Sequence, residues 1–133
     1  MGKYPDSKLL TKYSDWHWNK CARRTYVIDQ DIGIVFQPFT YRLWVELRDI
    51  ENAIKPIAVF DIKSFSELTK PITKCSSVWY DWLIEKQMPV YLIYTDMELK
   101  EFQVKSYPEG EIKSMTEIEY IQWLDNLTIR NIA

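Results

Sequence analysis

The continuous apolar run PVYLIYT, residues 89–95, constrains the fold of this chain more than any other segment. Successive side chains of a strand point to opposite faces, so a run without polar alternation is apolar on both faces. Such a strand is typical of the middle of a sheet that is covered on both sides. We therefore expect a layered α/β structure that contains this strand.

The residues before this run have the period of a helix. Apolar side chains recur at i, i+3, i+4, i+7 and i+8, which predicts an amphipathic helix that ends near Gln87. The positions of this stripe are Cys75, Val78, Trp79, Trp82 and Leu83. We expect the stripe to face the core or a dimer interface.

The first half of the chain alternates like strands. Residues 6–24 indicate one or two short helices, and the segments 31–39, 42–48 and 57–65 then predict an antiparallel meander, with a turn through residues 49–56. Residues 100–107 predict one more strand. Ser114 with Glu117, or Thr116 with Glu119, has capping-box spacing ahead of a final helix. The order α-β-β-β-α-β-β-α predicts a three-layer α/β sandwich with a mixed sheet.

Length and charge limit the functional classes. At 133 residues and 47% hydrophobic content, we expect one domain, residues 1–133. The net charge of −2 gives no general attraction to phosphate, so nucleic-acid binding requires a local basic patch. We see no membrane span and no secretory signal, and Cys21 and Cys75 lack metal-site spacing. We therefore expect an intracellular, cytoplasmic protein that does not bind membranes and keeps its thiols reduced.

The stretch IAVFDIKSF, residues 57–65, carries two charges on one face of an apolar strand. Asp61 and Lys63 share that face because side chains at i and i+2 point the same way. A buried charge requires a partner or a metal ion. If the strand containing Asp31 lies beside this one, two carboxylates and a lysine converge, which suits Mg²⁺ and phosphodiester chemistry. A solvated edge face with a weak ion pair is the alternative.

The order of these motifs resembles the PD-(D/E)xK nuclease superfamily. Similarity is greatest to a small branch in which S-D-W-H precedes D-x-D and then a hydrophobic residue followed by (Glu/Asp)-x-Lys. The corresponding stretches here are 14–17 (SDWH), 29–31 (DQD) and 61–63 (DIK). The third-strand acid is Asp where the family usually has Glu. No proline precedes Asp31, as is also true of many family members.

The resemblance implies a fold and an activity. It implies a restriction-endonuclease-like core and a metal-dependent nuclease that acts on nucleic acid, with DNA as the expected substrate. Asp31, Asp61 and Lys63 are the expected catalytic residues. Asp31, Asp61 and the backbone carbonyl of Ile62 are the expected ligands of Mg²⁺ or Mn²⁺. The alternative is a catalytically inactive module of the same fold that binds nucleic acid or a protein.

Several further residues have two interpretations each. Asp15, His17 and Asp29 are candidate accessory residues, but Asp15 suits helix capping, His17 a hydrogen bond between tryptophans, and Asp29 a solvated strand entry. Glu46 either faces solvent or pairs with Arg48 or a lysine.

The basic and aromatic side chains leave two alternatives as well. Lys20, Arg23 and Arg24 are candidate phosphate-binding residues, or an ordinary solvated face. The tryptophans suit base stacking, core packing or a dimer interface. The aromatic content also suggests a homodimer. These tryptophans are Trp16, Trp18, Trp79, Trp82 and Trp123.

Overall fold

The structure is a computed structural model that describes residues 5–22, 30–36 and 39–132. Three helices and six strands make up most of these residues. In chain order they are α1 (Pro5–His17), a π-helical turn (Trp18–Ala22), β1 (Gln30–Phe36), β2 (Phe39–Ile50), β3 (Ala53–Ser64), a 3-10 turn (Phe65–Glu67), α2 (Lys74–Glu85), β4 (Val90–Thr95), β5 (Glu101–Ser106), β6 (Lys113–Thr116) and α3 (Glu117–Ile132).

The six strands form one mixed sheet in the order in which they occur along the chain. Strands β1, β2 and β3 form an antiparallel meander, β3 pairs in parallel with β4, and β5 and β6 continue antiparallel. The predicted meander and mixed sheet are confirmed. The prediction missed β6, a short and mostly exposed strand with little apolar pattern.

Helices lie on both faces of the sheet. Helices α1 and α3 share one face, where their side chains form the main core with β3, β4 and β5, and Tyr13 and Tyr120 join them by a hydrogen bond of 2.7 Å. Helix α2 lies on the other face, where Tyr80 packs with Val90, Leu92 and Tyr94. The chain is therefore an α/β protein, and this layering is compatible with the predicted three-layer sandwich.

The hairpin between β2 and β3 is tighter than the predicted turn through residues 49–56. Only Glu51 and Asn52 form the turn, both with positive φ, at 54° and 66°. Asn tolerates that conformation better than most residues. Pro56 lies within β3, opposite Leu47, where the register shifts. A bulge tolerates proline because a ladder hydrogen bond is already missing there.

Helix α2 presents a different side to the sheet than the apolar stripe predicts. Ser76 and Tyr80 are its buried residues, whereas Val78 and Trp82 are 47% and 49% exposed. Tyr80 faces the sheet because its ring packs over β4 and its hydroxyl donates a hydrogen bond to the buried carboxylate of Asp61. Of the two predicted environments for this stripe, the core therefore applies to Leu83, which packs beside Tyr80, and not to Val78 and Trp82.

The final helix begins at one of the two predicted capping boxes. The Thr116 backbone N–H donates to Glu119 Oε1 at 2.8 Å, and the Glu119 N–H donates to Thr116 Oγ1 at 3.2 Å. This reciprocal pair satisfies two N–H groups at the helix start. The pair Thr116 and Glu119 is thus the box, and not Ser114 and Glu117.

In the part of the chain that the structure describes, no helix combines the length and the apolar character that a membrane crossing requires.

Two positions of α3 test the orientation of this helix. Leu124 is 1% exposed and Ile118 is 69% exposed. We expect Leu124→Ala to lower the free energy of unfolding by about 2–5 kcal/mol, because it leaves a cavity. Ile118→Ala, the control on the same helix, should change it by less than about 0.5 kcal/mol. Urea denaturation measures both, and equal effects would contradict the orientation.

Candidate functional site

Asp61 is a buried carboxylate near the carboxyl end of β3. It is 5% exposed, and the Tyr80 hydroxyl of α2 donates a hydrogen bond to its Oδ2 atom. The ammonium of Lys63 lies 3.6 Å from the same oxygen. The predicted pairing of Asp61 with Lys63 on one face is therefore present. The alternative, a solvated edge face, is not present, because the side chain of Lys63 is only 15% exposed.

The parallel pairing of β3 with β4 positions these side chains. Asp61 is in register with Leu92, and Lys63 with Tyr94, so all four positions belong to one face of the sheet. Helix α2, which connects the two strands, covers that face and carries Tyr80. Burial, together with the negative charges of Asp61 and Glu67, raises the pKa of Tyr94. Two tyrosines thus accompany the acid and the lysine.

The register keeps position 31 apart from this centre. Asp31 pairs with Trp44, and Trp44 pairs with Phe60, the residue before Asp61. Paired positions share a face and adjacent positions alternate, so positions 31 and 61 belong to opposite faces. Strand β2 also lies between β1 and β3, which puts them about 10 Å apart. The premise that these two strands are neighbours was wrong.

The predicted metal site requires carboxylate ligands, so the positions of the described carboxylates test whether these residues can hold a metal ion. Among the side chains that the structure describes, those of residues 8–21 and 42–127, no three His, Cys, Asp or Glu residues are grouped as metal ligands. Asp61 is a hard oxygen donor, and Mg²⁺ is often held by one or two carboxylates, waters and substrate phosphate. Asp61 therefore suits a Mg²⁺ ion as one protein ligand, and the register does not bring position 31 beside it.

A second group of charged side chains lies on the other face of the sheet. Glu46 is 0% exposed, its Oε2 atom lies 3.1 Å from His17 Nε2, and Arg48 donates to the same oxygen. Trp44 Nε1 donates to Glu46 Oε1 at 2.9 Å. Of the two interpretations of Glu46, pairing with Arg48 is confirmed. His17 takes part in this group, which Trp16 and Trp44 flank, and is separated from Asp61 by the sheet.

The charges around Glu46 determine its ionisation. Burial alone would raise the pKa of this carboxyl, but the neighbouring His17 and Arg48 and the Trp44 hydrogen bond outweigh burial and lower it. A lowered folded-state pKa means that the ionised form stabilises the fold. Glu46 is therefore a buried anion that joins α1, through His17, to strand β2.

The remaining predicted site residues lie apart from Asp61 or outside the described residues. Asp15 on α1 and Lys20 on the π-helical turn are exposed. Asp29, Arg23 and Arg24 lie outside the described residues. Ile62, the expected carbonyl ligand, has its side chain buried in the core on the face opposite Asp61. Their predicted roles stay predictions.

Sequence reasoning missed Tyr80 and the burial of Glu46. Tyr80 belongs to α2 at a position outside the apolar stripe, and only the buried acid 19 residues earlier could have indicated its role. Trp44, Glu46 and Arg48 alternate along β2 and are all buried. When the two charged side chains are buried together, they have to pair with each other. Trp44, a large aromatic residue on the same strand face as Glu46 and Arg48, was the feature of the sequence that could have indicated this burial.

No protein-family model matches this chain, and no match is found among curated proteins or among solved structures.

Replacing Glu46 by glutamine tests the buried group. We expect Glu46→Gln to lower the free energy of unfolding at pH 7 by about 3 kcal/mol, because Arg48 loses the anion that compensates its buried charge. The pKa of Glu46 is lowered from its ordinary value of 4.5, so the advantage of the native residue is present above that pH and decreases as the pH falls through the lower folded-state pKa.

Chemical denaturation from pH 7 to pH 3 measures this difference. Glu98→Gln is the control, because Glu98 is exposed in the turn after β4. If the loss of unfolding free energy caused by Glu46→Gln does not decrease as the pH falls, the destabilisation does not come from the charge of Glu46.

Proposed function

We propose that this protein is a nuclease of the PD-(D/E)xK type whose reactive centre is the pair Asp61 and Lys63. One observation carries the proposal: an Asp-x-Lys pair lies at the carboxyl end of the third strand of a meander, buried against a parallel fourth strand that follows a helix. This is the strand and helix order that the resemblance implies for a restriction-endonuclease-like core.

Each side chain of the centre has a role in this proposal. Lys63 orients the attacking water or stabilises the additional negative charge on the phosphate. Tyr80 fixes the carboxylate of Asp61 through its hydrogen bond. Asp61 and the carbonyl of Ile62 would hold Mg²⁺ or Mn²⁺, which supplies Lewis-acid activation of water and phosphate when bound.

The expected substrate is DNA, bound through a local basic patch, because the net charge of the chain is −2. Lys20 is exposed on the π-helical turn after α1. Together with Arg23 and Arg24, it is the proposed contact with the phosphate backbone.

Two substitutions in β3 test the reactive centre. We expect the purified protein to cleave labelled DNA in the presence of Mg²⁺ or Mn²⁺. Lys63→Met should reduce the rate by on the order of 10²-fold or more, because it removes a charge that stabilises the transition state. Asp61→Asn should abolish cleavage, because it removes the buried carboxylate of the centre.

The same strand and its neighbour offer matched controls. Lys55→Met lies in β3 at its far end, and Asp49→Asn lies at the corresponding end of β2; both side chains are exposed. These variants should cleave like the wild type. If the wild-type protein cleaves none of the DNA and RNA forms tested, the nuclease proposal is refuted.

A second candidate function is a catalytically inactive module of the same fold that binds nucleic acid or a protein. The register favours it, because positions 31 and 61 belong to opposite faces of the sheet, whereas the resemblance implies that both acids bind one metal ion. In such a module, Asp61 and Lys63 contribute to packing under α2, and binding does not depend on a metal ion.

Binding without metal distinguishes the two functions. If the chain is an inactive module, we expect fluorescence anisotropy to show DNA binding that persists in EDTA and is unchanged by Asp61→Asn. Lys20→Glu should weaken this binding and make it less sensitive to salt, because a phosphate contact is lost. Binding that requires Mn²⁺ and is lost in Asp61→Asn would contradict the inactive module.

A further inference from the structure

We propose that the outward side of α2 is a homodimer interface, on which α2 of a second copy packs in antiparallel orientation. This surface, the α2 outer stripe, consists of Cys75, Val78, Trp79 and Trp82. The proposal does not depend on the nuclease proposal.

The outer stripe is apolar and partly exposed: Val78 and Trp82 are exposed, and Cys75 and Trp79 are half-buried. Val78 and Trp82 are 47% and 49% exposed, although this helix already buries another side against β4. The rings of Trp79 and Trp82 lie 5.9 Å apart and nearly perpendicular, at 87°. A surface helix ordinarily carries one apolar stripe, which faces the core. A second exposed apolar stripe, with two aromatic side chains, is typical of an interaction surface.

The charges at the ends of α2 indicate which partner covers this stripe. Lys74 is the first residue of the helix and Glu85 the last, and both are exposed. The helix dipole favours the opposite arrangement, acids at the amino end and bases at the carboxyl end. Within one copy, each charge therefore lies at the unfavourable end of its own helix.

An antiparallel second copy changes the environment of both charges. Lys74 and Glu85 are 11 residues apart, about three helical turns, so they lie on the same flank of the stripe. In an antiparallel pair, Lys74 of each copy lies beside Glu85 of the other copy. Each charge is also brought to the favourable end of the other helix. The two-fold axis repeats both contacts, so the surface is complementary to itself.

The size of the surface predicts a weak dimer. One 12-residue helix supplies the apolar contact, and an interface of this extent lies at the small end of specific interfaces. We expect a dissociation constant on the order of 10 µM. The observed mass should therefore depend on protein concentration.

Sedimentation velocity over a wide concentration range tests the proposal. We expect a monomer–dimer equilibrium for the wild type. Lys74→Glu and Glu85→Lys should each weaken dimerisation about tenfold, because each places like charges together at two sites of the dimer. The double variant should restore wild-type dimerisation, since the paired charges return with their signs exchanged. Trp82→Glu should abolish it.

Two controls separate association from folding. Ile118→Glu changes an equally apolar but distant exposed residue of α3, so it should not affect dimerisation. Lys74→Glu should keep or raise the melting temperature of the monomer, because an acid suits the start of a helix. A wild type that is monomeric at all concentrations, a dimer that tolerates Trp82→Glu, or a double variant that does not recover would each overturn the proposal.

Discussion

Asp61 lies almost entirely out of solvent at the point where β3, β4 and α2 meet, and the local arrangement depends on compensating its charge. Its carboxylate receives the Tyr80 hydroxyl from the helix above and lies 3.6 Å from the ammonium of Lys63. Without such partners, a buried carboxylate costs several kcal/mol. The position of α2 follows from this requirement, because only one side of the helix carries a hydroxyl long enough to reach the acid. Packing of the same tyrosine ring against Val90 and Leu92 then holds the helix over the parallel strand pair.

The sheet separates two groups of charged side chains, and this separation determines what each can do. Asp61 and Lys63 lie beneath α2 at a strand end, where the 15% exposure of Lys63 leaves a route to solvent. Glu46 and Arg48 lie on the opposite face, with exposures of 0% and 2%; they bind each other, and Glu46 also contacts His17 of α1. The second group therefore has the properties of a structural network. The first group retains a partly exposed lysine, which is why the functional proposals depend on it.

The sequence predicted the elements whose patterns are local and left open what depends on tertiary contacts. Alternation in residues 31–65 and the continuous apolar run 89–95 predicted the meander and the central strand, because side-chain periodicity is a property of the strand itself. The Asp61 and Lys63 pairing followed from their i, i+2 spacing. The position of Asp31 relative to Asp61 did not, because it depends on the register of two successive hairpins, and a shift of one residue exchanges the faces. The burial of Glu46 likewise depends on α1 covering β2.

Helix α2 carries the largest discrepancy between pattern and structure, and the discrepancy has a physical reason. A period of 3.6 shows which side chains share a side of a helix, but it does not show what that side faces. The aromatic stripe was expected to supply either the core or a dimer interface. Tyr80 lies outside the stripe and takes the core side, because it offers both ring area and a hydroxyl for Asp61. Val78 and Trp82 of the stripe are then left exposed, and Cys75 and Trp79 half-buried. Since Tyr80 and Trp82 belong to the same two turns, any partner that holds the outer side of α2 also restrains the group that fixes Asp61. The proposed interface and the proposed reactive centre thus lie on opposite sides of one helix.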